Sequence, residues 1–184
     1  SGAAFVVFGK KDTTAVELSA IEAGTGGFVI NGASAGDRAG VSASITGDVN
    51  GDGIDDVLVG AVSADIDGIS DAGSSYVVFG KKDTTSVELS AVASGNGGFI
   101  IKGAAADDSS GWIKSAGDVN DDGLVDMIVG SYQADPGGVS NAGSAHVIFG
   151  KAGTTAVNLT DINAGNGGFS IHGISADDEA GWDV

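Results

Sequence analysis

Two short segments of the chain carry side chains suited to binding a hard cation. DVNGDGIDD at 48–56 and DVNDDGLVD at 118–126 place oxygen-bearing side chains at alternate positions. Ca²⁺ takes roughly six to eight oxygen ligands, and alternating carboxylates, an amide and one backbone carbonyl can supply them within a single loop. Gly53 and Gly123 occupy the sixth loop position, where such a loop turns sharply.

The two segments therefore predict two Ca²⁺ sites; the alternative is a pair of turns that cap their own backbone. The predicted ligands of the first site are Asp48, Asn50, Asp52, the Ile54 carbonyl and Asp56. Those of the second site are Asp118, Asn120, Asp122, the Leu124 carbonyl and Asp126. Neither loop has the acidic twelfth residue of a helical calcium hand, since Val59 and Val129 stand there.

The whole chain is built from repeats, and the loops are one part of each repeat. Ala3–Ser19 recurs as Ser74–Ser90, and a third copy begins at Ser144. The period is 71 residues in the first half of the unit and 70 thereafter. The additional residue falls between Gly40 and Gly47, which predicts a β-bulge in that strand of the first copy.

Each repeat contains four short segments that predict strands. In the middle of the chain they are Gly40–Thr46, Asp55–Ala61, Ser74–Phe79 and Gly98–Lys102, with one helical turn expected at Leu89–Ala93. No segment sustains a helical period, and glycine makes up 33 of 184 residues, so long helices are not expected. The pattern predicts an all-β protein of β-propeller blades, each with four antiparallel strands. A β-solenoid is the alternative, but its coils are shorter.

The repeats predict two complete blades and parts of two flanking blades. Residues 1–37 would hold the last two strands of a preceding blade, 38–108 and 109–178 the complete blades, and 179–184 the start of the next one. Such an array leaves sheet edges and apolar faces uncovered. Either neighbouring sequence or self-assembly through the open blade edges would cover them.

The order of these motifs resembles the FG-GAP repeat, which builds the propellers of integrin alpha subunits and of bacterial and cyanobacterial secreted proteins. The shared features are a glycine before a D-x-N-x-D-G-x-x-D loop, an apolar strand ending in Gly60-Ala61, and SSYVVFG at 74–80. The chain departs from the family pattern at Ala39-Gly40 and at Val62, where the family has Phe-Gly and proline. The resemblance implies calcium binding through the residues already named.

The amino-acid composition limits the classes of binding partner and the cellular location that we expect for the protein. The formal net charge of −17 argues against nucleic acid, because phosphate binding needs a basic surface. No apolar run reaches transmembrane length, so membrane insertion is not expected. The acidic, calcium-binding character predicts an extracellular or cell-surface location.

No catalytic constellation stands out, and the sequence predicts a protein that is not an enzyme. With no cysteine, thiol nucleophiles are excluded, and no serine lies in a G-x-S-x-G motif. His146 and His172 replace other residues of the repeat and are interpreted as substitutions on strand surfaces. The acid pairs at 107–108 and 177–178 are interpreted as structural turns.

The predicted function is that of a calcium-stabilised extracellular adhesion or structural module. Its partner would be a protein or glycan, bound by loops at the end of the blades opposite the calcium loops. These loops are Val62–Gly73, Tyr132–Gly143, Ser34–Gly40 and Ala104–Gly111. The alternative is an accessory propeller domain of a secreted hydrolase, similar to those of some phospholipases.

Overall fold

The computed structural model describes every residue from Ser1 to Val184, and β-strands dominate it. Twelve short strands alternate with three five-residue helices and one 3₁₀ turn at Pro136–Gly138. The strands are β1 (Ala3–Val7), β2 (Gly27–Asn31), β3 (Ser42–Ile45), β4 (Val57–Ala61), β5 (Ser74–Val78), β6 (Val87–Glu88), β7 (Gly98–Lys102), β8 (Trp112–Gly117), β9 (Asp126–Ser131), β10 (Ser144–Ile148), β11 (Val157–Asn158) and β12 (Gly168–His172). The helices are α1 (Leu18–Glu22), α2 (Leu89–Ala93) and α3 (Leu159–Asn163).

Each repeat forms an antiparallel meander of the kind found in β-propeller blades. In the central sheet, β3, β4, β5 and β7 are neighbours in chain order, and β8, β9, β10 and β12 repeat this order in the next sheet. β1 and β2 pair in the same antiparallel way at the start of the chain. The four strands predicted in the central repeat are confirmed to within two residues at their ends, and the helical turn at Leu89–Ala93 is confirmed.

Two-residue strands join each sheet to the following repeat. β6 pairs in parallel with β2, and β11 pairs in parallel with β7. The Asn31 amide reinforces the first of these contacts by donating to a Glu88 carboxylate oxygen at 2.6 Å. Consecutive repeats are therefore linked by backbone hydrogen bonds as well as by apolar packing.

The hydrophobic core lies in two layers, each between consecutive sheets. The first layer brings Phe28 and Ile30 of β2 against Val59 and Tyr76 of the central sheet. The second layer repeats the arrangement one unit later, with Phe99 and Ile101 among its buried residues. Apolar residues alternate along the strands because successive side chains point to opposite faces, so each sheet can contribute to the layer on either side of it.

The predicted bulge in the first copy is wrong. β3 and β4 pair without a register shift, and the additional residue, Val41, lies in a turn before β3, where its N–H donates to the Arg38 carbonyl. The irregularity is in the second copy, between Ser115 and Gly117 of β8. The turn accommodates the additional residue without disturbing the ladder.

None of the helices has the length or the apolar character that crossing a bilayer requires.

Candidate metal centre

The first aspartate-rich loop connects β3 to β4 and is organised around Asp48. One oxygen of its carboxylate accepts the N–H groups of Gly51 at 2.7 Å and Asp52 at 3.0 Å. The other oxygen accepts the N–H of Gly53 at 2.7 Å. Gly51 and Gly53 both have positive φ, which turns the chain back around the carboxylate. These N–H groups, that of Gly53 foremost, lower the pKa of Asp48 and keep it ionised.

Asn50 and Asp52 continue the same pattern along the loop. The Asn50 side-chain oxygen accepts the Asp52 N–H at 2.8 Å, and an Asp52 carboxylate oxygen accepts the Ile54 N–H at 2.8 Å. The Asn50 amide also donates to the other Asp52 oxygen at 3.1 Å. The three alternate side chains therefore lie along one turning segment of backbone.

The second loop, between β8 and β9, reproduces this geometry. The Asp118 carboxylate accepts the N–H groups of Asp122 at 3.1 Å and Gly123 at 2.9 Å. Asn120 accepts from Asp122 at 3.0 Å, and Asp122 accepts from Leu124 at 2.9 Å. Because the two loops differ at the fourth, seventh and eighth positions and still share these bonds, the shared residues determine the shape.

The last aspartate of each loop is buried and connects the loop to a neighbouring strand end. Asp56 is fully buried; its two carboxylate oxygens accept the N–H of Val49 at 2.9 Å and that of Gly80 at 2.8 Å. Asp126 is equally buried and accepts from Val119 and Gly150, both at 2.8 Å. Burial raises the pKa of Asp56 to about 6, although both N–H groups act in the opposite direction.

The backbone carbonyl at the seventh position of each loop has no hydrogen-bond partner, as is true of most carbonyls in the two loops. The carbonyls of Ile54 and Leu124, at the seventh loop position, accept no hydrogen bond from any residue of the chain. An oxygen without a partner at this position is what a calcium loop requires of its backbone ligand. Three carboxylates, one amide oxygen and one such carbonyl in each loop match the oxygen donors that Ca²⁺ prefers.

The acidic side chains are not gathered into a ready-made cluster. No three Asp, Glu or His side chains lie close enough to hold a metal ion as they stand. The carboxylates instead accept N–H groups of their own loop, as the alternative of self-capping turns predicts. A carboxylate oxygen that accepts a single N–H, as Asp48 Oδ2 accepts that of Gly53, keeps a second lone pair for a cation.

Sequence reasoning missed the two glycines that complete the loops. Gly80 and Gly150 follow the Phe of each repeat and donate to the buried aspartate 24 positions earlier. A Cβ on Gly80 would lie 2.3 Å from the Asp55 carbonyl oxygen, so the strand end approaches the loop too closely for a side chain. The equal spacing of Asp and Gly in both copies is the signal that could have identified this contact.

The structure confirms the prediction made for the acid pairs and corrects the one made for His146. Asp108 accepts the Ala105 N–H at 3.2 Å and Asp178 accepts the Ser175 N–H at 2.8 Å, so the turn interpretation of the acid pairs is confirmed. The interpretation of His146 as a surface substitution is wrong, because only 2 % of this residue is exposed. The ring lies within hydrogen-bond distance of Ser170 on the neighbouring strand β12, at 2.9 Å from Nδ1 to Oγ.

Comparison with known proteins agrees with the loops and the sheets. The model of the FG-GAP repeat matches residues 39–78 and 110–148, and each match includes one aspartate-rich loop and the strands on either side of it. No curated protein matches the chain. FG-GAP repeats form integrin-like modules that are generally structural or adhesive, typically in extracellular domains. The chain therefore contains two FG-GAP repeats, which coincide with its two loop-bearing sheets.

Proposed function

We propose that the chain is a calcium-stabilised, non-catalytic module that acts in extracellular adhesion or in a surface structure. The observation that supports this proposal is the repeated loop, in which the same candidate ligands recur and the same backbone hydrogen bonds shape the chain around the first aspartate. Asp48, Asn50, Asp52, Ile54 and Asp56 would hold the first ion. Asp118, Asn120, Asp122, Leu124 and Asp126 would hold the second.

Calcium would act here through the stability of the fold. Each loop concentrates four carboxylates, three of them proposed ligands, and their mutual repulsion opposes folding until a cation offsets it. A ligand at a hundred times its Kd stabilises the native state by about 2.7 kcal/mol per site. Because Asp56 and Asp126 connect the loops to the ends of β5 and β10, an ion in the loop would also fix the central strands of each sheet.

The test is thermal unfolding in millimolar CaCl₂ and in excess EDTA. For the unchanged chain we expect a higher Tm in calcium. In the double variant Asp52→Asn with Asp122→Asn, we expect most of this difference to disappear. Asparagine keeps an oxygen that can accept the N–H of the seventh loop residue, so the variant removes the charge and spares the turn.

A matched control removes one carboxylate from each loop without touching a proposed ligand. Asp55→Val and Asp121→Gly each introduce the residue that stands at the same position in the other copy. This control should keep its calcium-dependent rise in Tm. An equal rise in the control and the Asp52/Asp122 variant, or no rise in the unchanged chain, would contradict the calcium proposal.

A second copy of the chain is the partner that we propose for the open sheet edges. Within the chain, each outer strand is covered by the next repeat, so Ile101 is 1 % exposed, whereas Ile171 at the same position of β12 is 52 % exposed. On the opposite side Leu18 is 51 % exposed, while its equivalent Leu89 is 1 % exposed. These two apolar surfaces correspond to the two sides of an interface that the chain already makes twice.

A further inference from the structure

Two cavities of equal size occupy equivalent positions in consecutive repeats. Each has a volume of about 400 Å³ and lies at the end of the sheet opposite the aspartate-rich loops. The first is lined by Asp37, Asp65, Tyr76 and Lys102 among others, and the second by the equivalents of these four residues, Asp108, Asp135, His146 and His172. No residue of either aspartate-rich loop lines them, so what the cavities bind is independent of the calcium proposal.

At the second cavity, polar side chains joined by hydrogen bonds stand where the first repeat has larger or apolar residues. His146 stands where the first repeat has Tyr76, and Ser170 stands where it has Ile100. Asn163 replaces Ala93 in the same way. The three new polar groups form one chain of hydrogen bonds, with 2.9 Å from His146 Nδ1 to Ser170 Oγ and 2.7 Å from Ser170 Oγ to Asn163 Oδ1.

This chain of hydrogen bonds determines the tautomer of His146. Ser170 uses its single proton to donate to Asn163, so its oxygen must accept a proton from His146 Nδ1. The ring then carries its proton on Nδ1 and a lone pair on Nε2. Burial lowers the pKa of His146 to about 4, with His172 adding to the effect, so the ring is neutral at physiological pH. Nε2 makes no hydrogen bond within the chain and is left as an acceptor.

The second cavity lacks the cationic side chain that lines the first one. In the first repeat, the Lys102 ammonium lies 2.8 Å from an Asp67 carboxylate oxygen. In the second repeat, these two positions hold His172 and Gly137, and the cavity is lined by Asp107, Asp108 and Asp135 without any lysine or arginine. Asp108 and Asp135 each use one oxygen for a backbone N–H and keep the other without a partner.

We propose that the second cavity binds a primary ammonium group, presented by a lysine side chain of a partner polypeptide. His146 Nε2 and the free oxygens of Asp108 and Asp135 are acceptors, and an ammonium group supplies three donors and a positive charge. Unlike the first cavity, the second has no lysine of its own to occupy this space. A polyol fits less well, because no Phe, Tyr or Trp lines the cavity to pack against a sugar ring.

The test is an NMR titration with Nα-acetyl-lysine methylamide in millimolar calcium. His146 and His172 are the chain's two histidines, so their ring signals can be assigned from single variants. The expected result is saturable shifts at the His146 ring and at the backbone amides of Ala105 and Asn141, which donate to Asp108 and Asp135. The norleucine analogue, which lacks the ammonium group, should produce none.

The matched control is a double variant that gives the second cavity two residues of the first. His146→Tyr with Ser170→Ile introduces residues that the chain already tolerates at these positions, and it leaves the net charge unchanged because His146 is neutral. Non-specific attraction to the acidic surface is therefore the same, while the amides of Ala105 and Asn141 should no longer show saturable shifts.

A second variant keeps the proposal testable if the first does not fold. Asp135→Asn retains an oxygen for the Asn141 N–H and should weaken binding about tenfold, the loss of one charge-assisted hydrogen bond. Linear shifts without saturation, equal shifts with norleucine or with a disaccharide, or unchanged affinity in the folded variants would overturn the proposal. The test does not depend on calcium bound in the loops, so it can fail while the calcium proposal stands.

Discussion

Asp108 is a carboxyl group that the fold has almost removed from water. It is 7 % exposed, and burial raises its pKa to about 6, with Asp135 and Asp107 adding to the effect and the Ala105 N–H opposing it. The unfolded chain loses this proton near pH 4. Between pH 4 and 6 the native state therefore holds a proton that the unfolded state has released, and the free energy of unfolding falls as pH rises.

Replacing this carboxyl group with an amide should make the stability less dependent on pH. The difference in free energy of unfolding between Asp108→Asn and the unchanged chain should rise in favour of the variant by on the order of 1–3 kcal/mol from pH 4 to 6. Above pH 6 this difference should stay constant. His146, with its pKa lowered to about 4, contributes the opposite slope in both proteins and cancels in the comparison. Urea unfolding at several pH values measures the difference.

Asp178 supplies the control for this measurement. It occupies the same turn one repeat later and accepts a similar N–H, but it is exposed. The free energy of unfolding of Asp178→Asn should differ from that of the unchanged chain by a nearly constant amount at every pH measured. A parallel profile for Asp108→Asn as well would show that burial does not perturb this carboxyl group.

The connection between β5 and the first aspartate-rich loop depends on the absence of a side chain. Gly80 follows the Phe79 that continues β5 and donates its N–H to Asp56, and a Cβ there would meet both the Asp55 carbonyl and the Ile54 side chain. The strand end and the loop are thus held at backbone distance. Gly9 is the equivalent residue after β1, where no aspartate-rich loop precedes the strand. Nothing lies within 4 Å of a Cβ built on it.

Alanine at these two glycines should have very different effects. Gly80→Ala must displace the loop and is expected to lower the free energy of unfolding by about 1–3 kcal/mol, the cost of overpacking. Gly9→Ala should stay within about 0.5 kcal/mol of the unchanged chain. Urea unfolding measures both, and equal stabilities would mean that the loop moves aside at no cost.

The elements that the sequence predicts well are those with a complete local signal. Val57–Ala61 and Ser74–Val78 are short apolar runs bounded by turn residues, and repetition of the unit supports each assignment. The loop residues could be named because ligand types and glycine recur in register. The extent to which their carboxylates are occupied by backbone N–H groups depends on side-chain rotamers, which spacing does not determine.

The features that escaped prediction depend on contacts between repeats. β6 and β11 have two residues each, too few for any period, and they become strands only because β2 and β7 offer a free edge. The burial of His146 depends on contacts with residues distant in sequence, among them Ser170, which spacing does not reveal. The additional residue between Gly40 and Gly47 could not be placed from the sequence, because a count of residues cannot distinguish a bulge from a longer turn.

At the scale of the whole molecule, the two exposed apolar surfaces predict concentration-dependent association. Sedimentation velocity over a range of concentrations should show dimers or longer assemblies, and Ile171→Glu or Leu18→Glu should shift the protein toward monomer. Ile45→Ser is the control: it removes an exposed isoleucine from β3, outside the proposed interface, and introduces the residue of the second copy. Monomers at every concentration, or an equal effect of the control, would contradict this mode of association.

The overlap of each sheet with the following repeat also affects how the chain folds during synthesis. The outer edge of β2 is covered by residues that lie 57 positions later, since Asn31 meets Glu88. At about 5–20 residues per second, a ribosome needs roughly 3–11 s to deliver them. During that interval β2 has an unpaired edge, so nascent chains are most exposed to mispairing between neighbouring ribosomes at this stage, and slowed translation between β2 and β6 should increase it.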